Sequence, residues 1–513
     1  MLPLTLSAQP LATQNIPLLT QPELDPYGLQ RVWFYQLGLK TATGKIRGIL
    51  LEGGQLFITT SDGKLHVLDS ETGQGLWTRA IGANGNLLTE PAVNSRVVAV
   101  HNGIAVFIFN RKTGKQLLQI PLSEAASAPC EISENYLYVP MANQTILVYV
   151  LKEAHTPAPV EDIAIGSSSN IGGSEDPELK KIVQEFEEAK RLLQTKESKE
   201  ITDDAYVLDG THRIPIISAA FGTVSTKPLL LSQFYSWVLD GEERPTHEVD
   251  KNTHQEFITW VTEQGYLFTA KISSLSDKGM EMRYRVDSSG QTFYLDPTRA
   301  AQVDRPGNKA LSVRPTQSQL YPVNELNPDF IDSSDMIVTG GRSSYVFAID
   351  ARTGAIHWQY PTQGQLIEPI AVIGRDVYAS TINGILHAID LDKGEERWSA
   401  RNIKRFVAAS KQQVYVLDRR DRLVGLDRTT GATHFVYNIR RFDHCLFNLE
   451  TDQIFLLTDG GLIQCLREKQ FANAESGTSI RHRISVTEFA ETVRGGELPE
   501  LWWVEELNAK ELQ

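Results

Sequence analysis

The sequence predicts an all-β fold: an eight-bladed β-propeller of four-stranded antiparallel blades, closed into a ring by an N-terminal strand and carrying one helical insertion. Three observations predict it. A β-rich unit recurs about every forty residues, each unit carries turn signals at fixed offsets, and the last unit lacks a return strand that the N-terminus can supply.

The repeats are legible by eye. LFITTSDGKLHVLDSETGQGLW from Leu56 aligns with YVFAIDARTGAIHW from Tyr345 and VYASTINGILHAIDLDKGEERW from Val377. Taking one turn residue per unit gives Asp62, Asn102, Asn143, Gln264, Ser343, Asn383, Arg420 and Gly460, spaced by 40, 41, 121, 79, 40, 37 and 40. Two gaps exceed the period. Because propellers have four to eight blades, eight units with two insertions is the economical count.

Local chemistry makes each unit a blade. Asp62-Gly63, Asn102-Gly103, Gln264-Gly265 and Asn383-Gly384 lie between β-rich runs, where a two-residue hairpin is expected because Asn, Asp and Gly tolerate positive φ. The second turn is the Asp-x-x-Thr-Gly stretch, with Lys393 in place of the threonine after Asp390. There Asp69, Asp350, Asp390 and Asp427 can cap backbone amides, and Gly73, Gly354, Gly394 and Gly431 supply the conformation that a Cβ disfavours. Trp77, Trp358 and Trp398 follow on the return strand, where a large ring can fill the wedge between blades. The unit after Gly460 has no such return, and Asp25, Gly28 and Trp33 supply it from the other end of the chain. Closure of this kind removes two open sheet edges.

The propeller is expected over 25–470. Residues 152–205 form an insertion within it, a Pro/Ser/Gly-rich tether and then an amphipathic helix with Leu179, Ile182, Val183, Phe186 and Leu193 at helical spacing. Residues 287–330 read as a second, loop-like insertion, and 471–513 as a C-terminal extension. Residues 1–24 read as a loose terminus or as the remnant of a secretory signal, since an apolar run meets Ser7-Ala8-Gln9 without a basic start.

Composition excludes several classes. With 50 basic and 63 acidic side chains the net charge is −13, which argues against nucleic acid as partner. No apolar run reaches the roughly 18 residues of a membrane span. Cys130, Cys445 and Cys465 form no close pair, and the histidines never fall in a metal-ligand spacing, so no metal site is expected. His66 and His387 occupy equivalent repeat positions, which marks them as scaffold residues.

No nucleophile elbow, phosphate loop or dinucleotide fingerprint is present, so no catalytic residue is assigned. The remaining constellation lies at the starts of the inner strands, around the channel mouth. NIKRF and NIRRF place Lys404, Arg405, Arg440 and Arg441 on adjacent blades, and LTEPAV and LIEPIA place Glu90 and Glu368 at matching positions of two others. Such a mouth could bind a polar ligand or a peptide; ordinary surface salt bridging is the alternative.

The pattern A-x-D-x-x-T-G-x-x-x-W, complete at Ala348 to Trp358 and varied at Val67 to Trp77, Ala388 to Trp398 and Gly425 to Phe435, resembles the tryptophan-docking motif of pyrroloquinoline-quinone-type propellers. Within that superfamily the chain is similar to the BamB-like proteins of bacteria. That resemblance implies eight blades, no catalytic apparatus, and contacts with protein partners through blade loops or insertions in the cell envelope. A cytoplasmic location is the alternative, and the propeller is expected to be monomeric. Quinoprotein dehydrogenases share the blades but bind their quinone beside two adjacent cysteines and a calcium ion; this sequence has no adjacent cysteines and its repeats supply no evident calcium cluster, so the resemblance implies no cofactor here. A quinone-dependent oxidoreductase and a small-ligand or glycan sensor stand as rival readings.

Overall fold

The computed structural model describes residues 18–39, 44–82, 90–133, 136–153, 206–207, 216–219, 222–230, 234–235, 255–273, 280–287, 289–294, 319–322, 335–350, 354–366, 368–472 and 484–485. Within them the chain forms eight antiparallel sheets arranged as blades. Blade 1 runs from the inner strand Ile46–Glu52 through Gln55–Thr60 and Lys64–Asp69 to the outer strand Gly75–Ala80. Blades 2, 3 and 4 begin at Ala92–Val93, Glu131–Ile132 and Leu229–Leu230. Blades 5, 6 and 7 begin at Gln319–Pro322, Ala371–Ile373 and Ile403–Ala409. Blade 8 comprises His444–Cys445, Ile454–Leu457, Leu462–Glu468 and, as its outer strand, Leu29–Gln36. The N-terminal strand thus closes the ring, Leu29 opposite Glu468 and Gln36 opposite Leu462.

Eight apolar clusters fill the eight seams between neighbouring blades. The cluster that joins blade 8 to blade 1 combines Trp33, Phe455 and Ile463 with Leu56, Ile58 and Leu68. The core is therefore annular, and apolar burial between blades, about 25 cal/mol per Å², stabilises the circle as well as each sheet.

The docking residues meet across the seams. The indole of Trp77 donates to Arg111 O at 2.8 Å, Trp358 to Leu391 O at 2.6 Å, Trp398 to Arg428 O at 2.7 Å and Trp33 to Ser70 O at 2.9 Å, each reaching the Thr-Gly or Lys-Gly turn of the following blade. Asp69 and Asp427 hold those turns: the Asp427 carboxylate accepts from Thr429 N at 3.1 Å and Thr430 N at 2.7 Å. Gly431 has φ +71°, and a Cβ there would meet Trp398 Cε3 at 2.5 Å, so this glycine serves both the turn and the ring lying on it. Six outer strands and the fourth strand of blade 4 also skip one residue in register immediately before the docking position: Val32, Leu76, Leu117, His357, Arg397 and His434, and in blade 4 Arg283. This β-bulge re-aims the following side chain.

The structure corrects several expectations. The Gly63, Gly265 and Gly384 hairpins are three-residue turns: Thr60, Thr262 and Thr381 each accept from the glycine N–H and close on Lys64, Tyr266 and Ile385. A type I turn followed by a left-handed glycine matches strand twist as well as a two-residue turn does. Only the Asn102-Gly103 turn, of these four, has two residues, with Asn102 N bonded to Ala105 O at 3.1 Å.

Within 287–330, read as one loop, Thr292–Tyr294 adds a fifth strand to blade 4 and Gln319–Pro322 is the inner strand of blade 5. The insertion at 152–205 separates the third strand of blade 3 from its outer strand, Ile216–Ala219, and Lys152–Glu153 pairs with Tyr206–Val207 at its base. The helix expected inside it lies outside the described residues.

Of the terminus read as loose over 1–24, residues 18–24 are ordered: Leu19 and Leu24 are fully buried against blades 7 and 8. In the C-terminal extension, Ile484–Ser485 pairs with Phe234–Tyr235.

Candidate binding face at the channel mouth

Each inner strand starts on the face where the second and third strands of its blade turn, so strand starts and hairpin tips share one rim. The connection into an inner strand runs beside that tip: in blade 6, Leu366 bridges Thr381 and Ile382 N donates to Gln365 O at 2.8 Å. In four blades the inner strand is opened by a proline, in the steps Glu90-Pro91, Ala128-Pro129, Lys227-Pro228 and Glu368-Pro369. Proline suits a channel-side edge because it has no N–H to leave unpaired, and it holds the preceding residue extended.

These steps bring charges together. Lys227 of blade 4 lies 3.1 Å from the Glu131 carboxylate of blade 3, with the two side chains 20% and 9% exposed. Burial would push the Lys227 ammonium down, but Glu131, then Glu52 and Glu90, outweigh it and hold the group above its ordinary value. Burial pushes the carboxyls of Glu52 and Glu90 up, against the attraction of Lys227. One ammonium therefore serves carboxylates from blades 1, 2 and 3. Beside it the Cys130 thiol is pushed up to about 12 by burial.

The expected basic sector is dispersed. Lys404 pairs with Asp421 of its own blade at 2.8 Å. Arg405 donates to Cys445 O of the next inner strand. Arg441 holds the N-terminal arm through Glu23 at 2.8 Å and Leu18 O at 3.4 Å, while Arg440 is exposed. Glu90 and Glu368 do occupy equivalent steps of two blades. No hydrogen bond or ion pair among the described residues holds the Glu368 carboxylate.

Sequence reasoning missed Lys227, Glu131 and Glu52. The signal for Lys227 was present, since Thr-Lys-Pro repeats the Thr-Glu-Pro step of Glu90 with the opposite charge.

His66 and His387 are held within the scaffold. His66 Nδ1 lies 3.0 Å from Thr78 Oγ1, and burial pushes its pKa down to about 4. His387 Nε2 lies 3.1 Å from Thr362 O and its Nδ1 2.6 Å from Glu396, which also accepts from the Tyr360 hydroxyl at 2.5 Å, tying blade 6 to blade 5. Among the described residues no group of three His, Cys, Asp or Glu side chains is placed to hold a metal ion, and no helix is long and apolar enough to cross a membrane.

Apolar side chains stand out on the same rim. Ile104 at the hairpin tip of blade 2 is 63% exposed and Ile382 at that of blade 6 is 45% exposed.

A family model described as outer membrane protein assembly factor BamB matches residues 31–152 and 325–444. Over those two stretches, just under half of its length, the chain carries BamB-like repeats of the PQQ type. The matched stretches include the outer strand of blade 8, blades 1 and 2, three strands of blade 3, and most of blades 5 to 7. Among solved structures, Sqt1 of Saccharomyces cerevisiae is similar with a TM-score of 0.52 at 8% identity, over 85% of this chain and 97% of that one. BamB from Moraxella catarrhalis gives 0.48 at 12% identity over 86% and 97%, and the computationally designed protein Ika8 gives 0.45 at 12% over 83% and 97%. No curated protein matches the chain.

Proposed function

We propose that this BamB-like propeller is a non-enzymatic protein-interaction scaffold of the bacterial cell envelope. The observation that carries the reading is the match of both stretches, 31–152 and 325–444, to repeats described as an outer membrane assembly factor. The local geometry agrees with it. The distinctive polar groups of the repeats are engaged in turns and seams: Asp69 and Asp427 cap their turns, and the indole N–H groups of Trp33, Trp77, Trp358 and Trp398 bond the next blade. Contact with partners then falls to the loops and hairpin tips of the rim, as is usual for loops carried on a rigid scaffold.

The test is affinity capture by the full chain from envelope and cytosolic fractions of a bacterial host, with mass spectrometry of what is retained. A stoichiometric protein partner from the envelope is expected. Failure to retain any protein above an unrelated propeller control refutes the scaffold reading, and capture solely from cytosol refutes the location. Supplying quinone and calcium in a dye-reduction assay addresses the enzymatic alternative; turnover would overturn the non-enzymatic assignment.

A further inference from the structure

Blades 2 and 6 stand four apart in a ring of eight and so face each other across the channel. Both present the same pair of features on the rim: an exposed isoleucine at the hairpin tip, Ile104 or Ile382, and a glutamate-proline step at the start of the inner strand, Glu90-Pro91 or Glu368-Pro369. The corresponding tips of blades 1, 3, 4, 5, 7 and 8 carry Ser61-Asp62, Ala142-Asn143, Glu263-Gln264, Arg342-Ser343, Arg419-Arg420 and Asp459-Gly460. Isoleucine stands at the tip in two opposite blades, each backed by a carboxylate at the mouth, while Tyr345 flanks the blade 5 tip at 39% exposure. Lys227, the cation that faces Glu90, is divided among three carboxyls, Glu131, Glu52 and Glu90, so that group keeps an excess of acid, while Lys404 is bound by Asp421, Arg441 by Glu23, Arg405 by the Cys445 carbonyl and Arg419 by the Ile382 carbonyl.

We infer that this face takes a segment of a partner protein laid across the mouth, basic at its centre and apolar on both flanks. The basic side chains meet Glu90 and Glu368, and the flanking apolar side chains cover Ile104 and Ile382. Charge complementarity selects the centre, and the net charge of −13 favours a cationic occupant over a second copy of this chain. The inference rests on the scaffold reading and names the chemistry of its partner.

The probe is a set of fluorescein-labelled peptides of about twelve residues, long enough when extended to span about 40 Å. One carries a central Arg-Lys pair with leucines toward both ends, one replaces the pair by Glu-Glu, and one replaces the leucines by serine. Anisotropy titration against the full chain should show binding of the first alone, weakened about tenfold or more by the double variants E90Q/E368Q and I104S/I382S and weakened by added salt. Both isoleucines are exposed, so the serine variant is expected to fold, and its thermal unfolding checks this. Equal binding of the acid-centred peptide, indifference to both double variants, or absence of binding overturns the inference. Sedimentation of the chain alone tests the other occupant: a dimer dissolved by I104S/I382S would assign the face to a second copy. The two readings fail separately. A partner captured equally by the wild type and I104S/I382S leaves the scaffold standing and refutes this face, whereas absence of any captured partner refutes the scaffold.

Discussion

Replacing Lys227 by methionine removes the ammonium shared by Glu131, Glu52 and Glu90 while keeping most of the stem volume. At 3.1 Å and an effective dielectric of about 20, the gross Lys227–Glu131 attraction is about 5 kcal/mol. Losing the ammonium also relieves its own desolvation, and both side chains retain some water contact, so a net loss of about 3 kcal/mol is expected, the low end for breaking a buried pair. The pH dependence follows from the carboxyls. Glu52 and Glu90 have raised values in the folded protein, so their favourable term is complete below the unfolded value of 4.5 and is lost as pH rises through the folded values. Lys227 opposes that loss while it stays charged, which its own raised value ensures up to alkaline pH. The variant should therefore lose about 3 kcal/mol at pH 7.5 and only about 1 kcal/mol near pH 4.5, where protonation removes the repulsion. Urea unfolding followed by tryptophan fluorescence at both pH values reads the difference as a midpoint shift. An equal shift at the two values, or none at pH 7.5, would refute the shared-ammonium account.

Three further outcomes are expected. Gly431→Ala should destabilise by about 2–3 kcal/mol in the native context and by about 1 kcal/mol when combined with Trp398→Ala, because the φ penalty persists after the ring is gone; a double-mutant cycle by denaturant unfolding measures the coupling. A disulfide-exchange reagent should leave Cys130, Cys445 and Cys465 unmodified in the native chain and label all three in denaturant, since each thiol is buried and pushed up, Cys445 to about 11. The hydrogen bond from Arg441, with those from Thr20, holds Glu23 down to about 2, so the N-terminal arm should stay docked as pH falls past the ordinary glutamate range and loosen only near pH 2. Arg441→Ala should move that loosening upward in hydrogen exchange of residues 18–24.

How much was legible depended on whether a feature lives inside one repeat. The Asp-x-x-x-Gly turn and the aromatic after it recur in sequence, so blades 1, 6 and 7 could be drawn strand by strand. The contact that matters joins different repeats: Trp77 lies on Gly114, not on the Gly73 of its own unit. Blade 3 hid its outer strand because an insertion separates Val150 from Ile216. The inner strands of blades 2, 3, 4 and 8 are two residues long, too short for any alternation to register. The channel charges were half visible. Equal signs at Glu90 and Glu368 invited comparison, whereas the reversed sign at Lys227 concealed the same proline step.

The skipped residue before each docking position has a consequence beyond aiming a ring. A circle of blades presents its outer strands to solvent, and each is an invitation for a passing strand to add itself and start a fibre. A bulge breaks the even spacing of free N–H and C=O groups that such addition needs. Six of these perimeters are interrupted at the same place, even where the closing strand exposes Val32 and Phe34. Extension of the sheets by an added strand is therefore disfavoured at those six edges, which leaves the two flat faces of the ring as its unguarded surfaces.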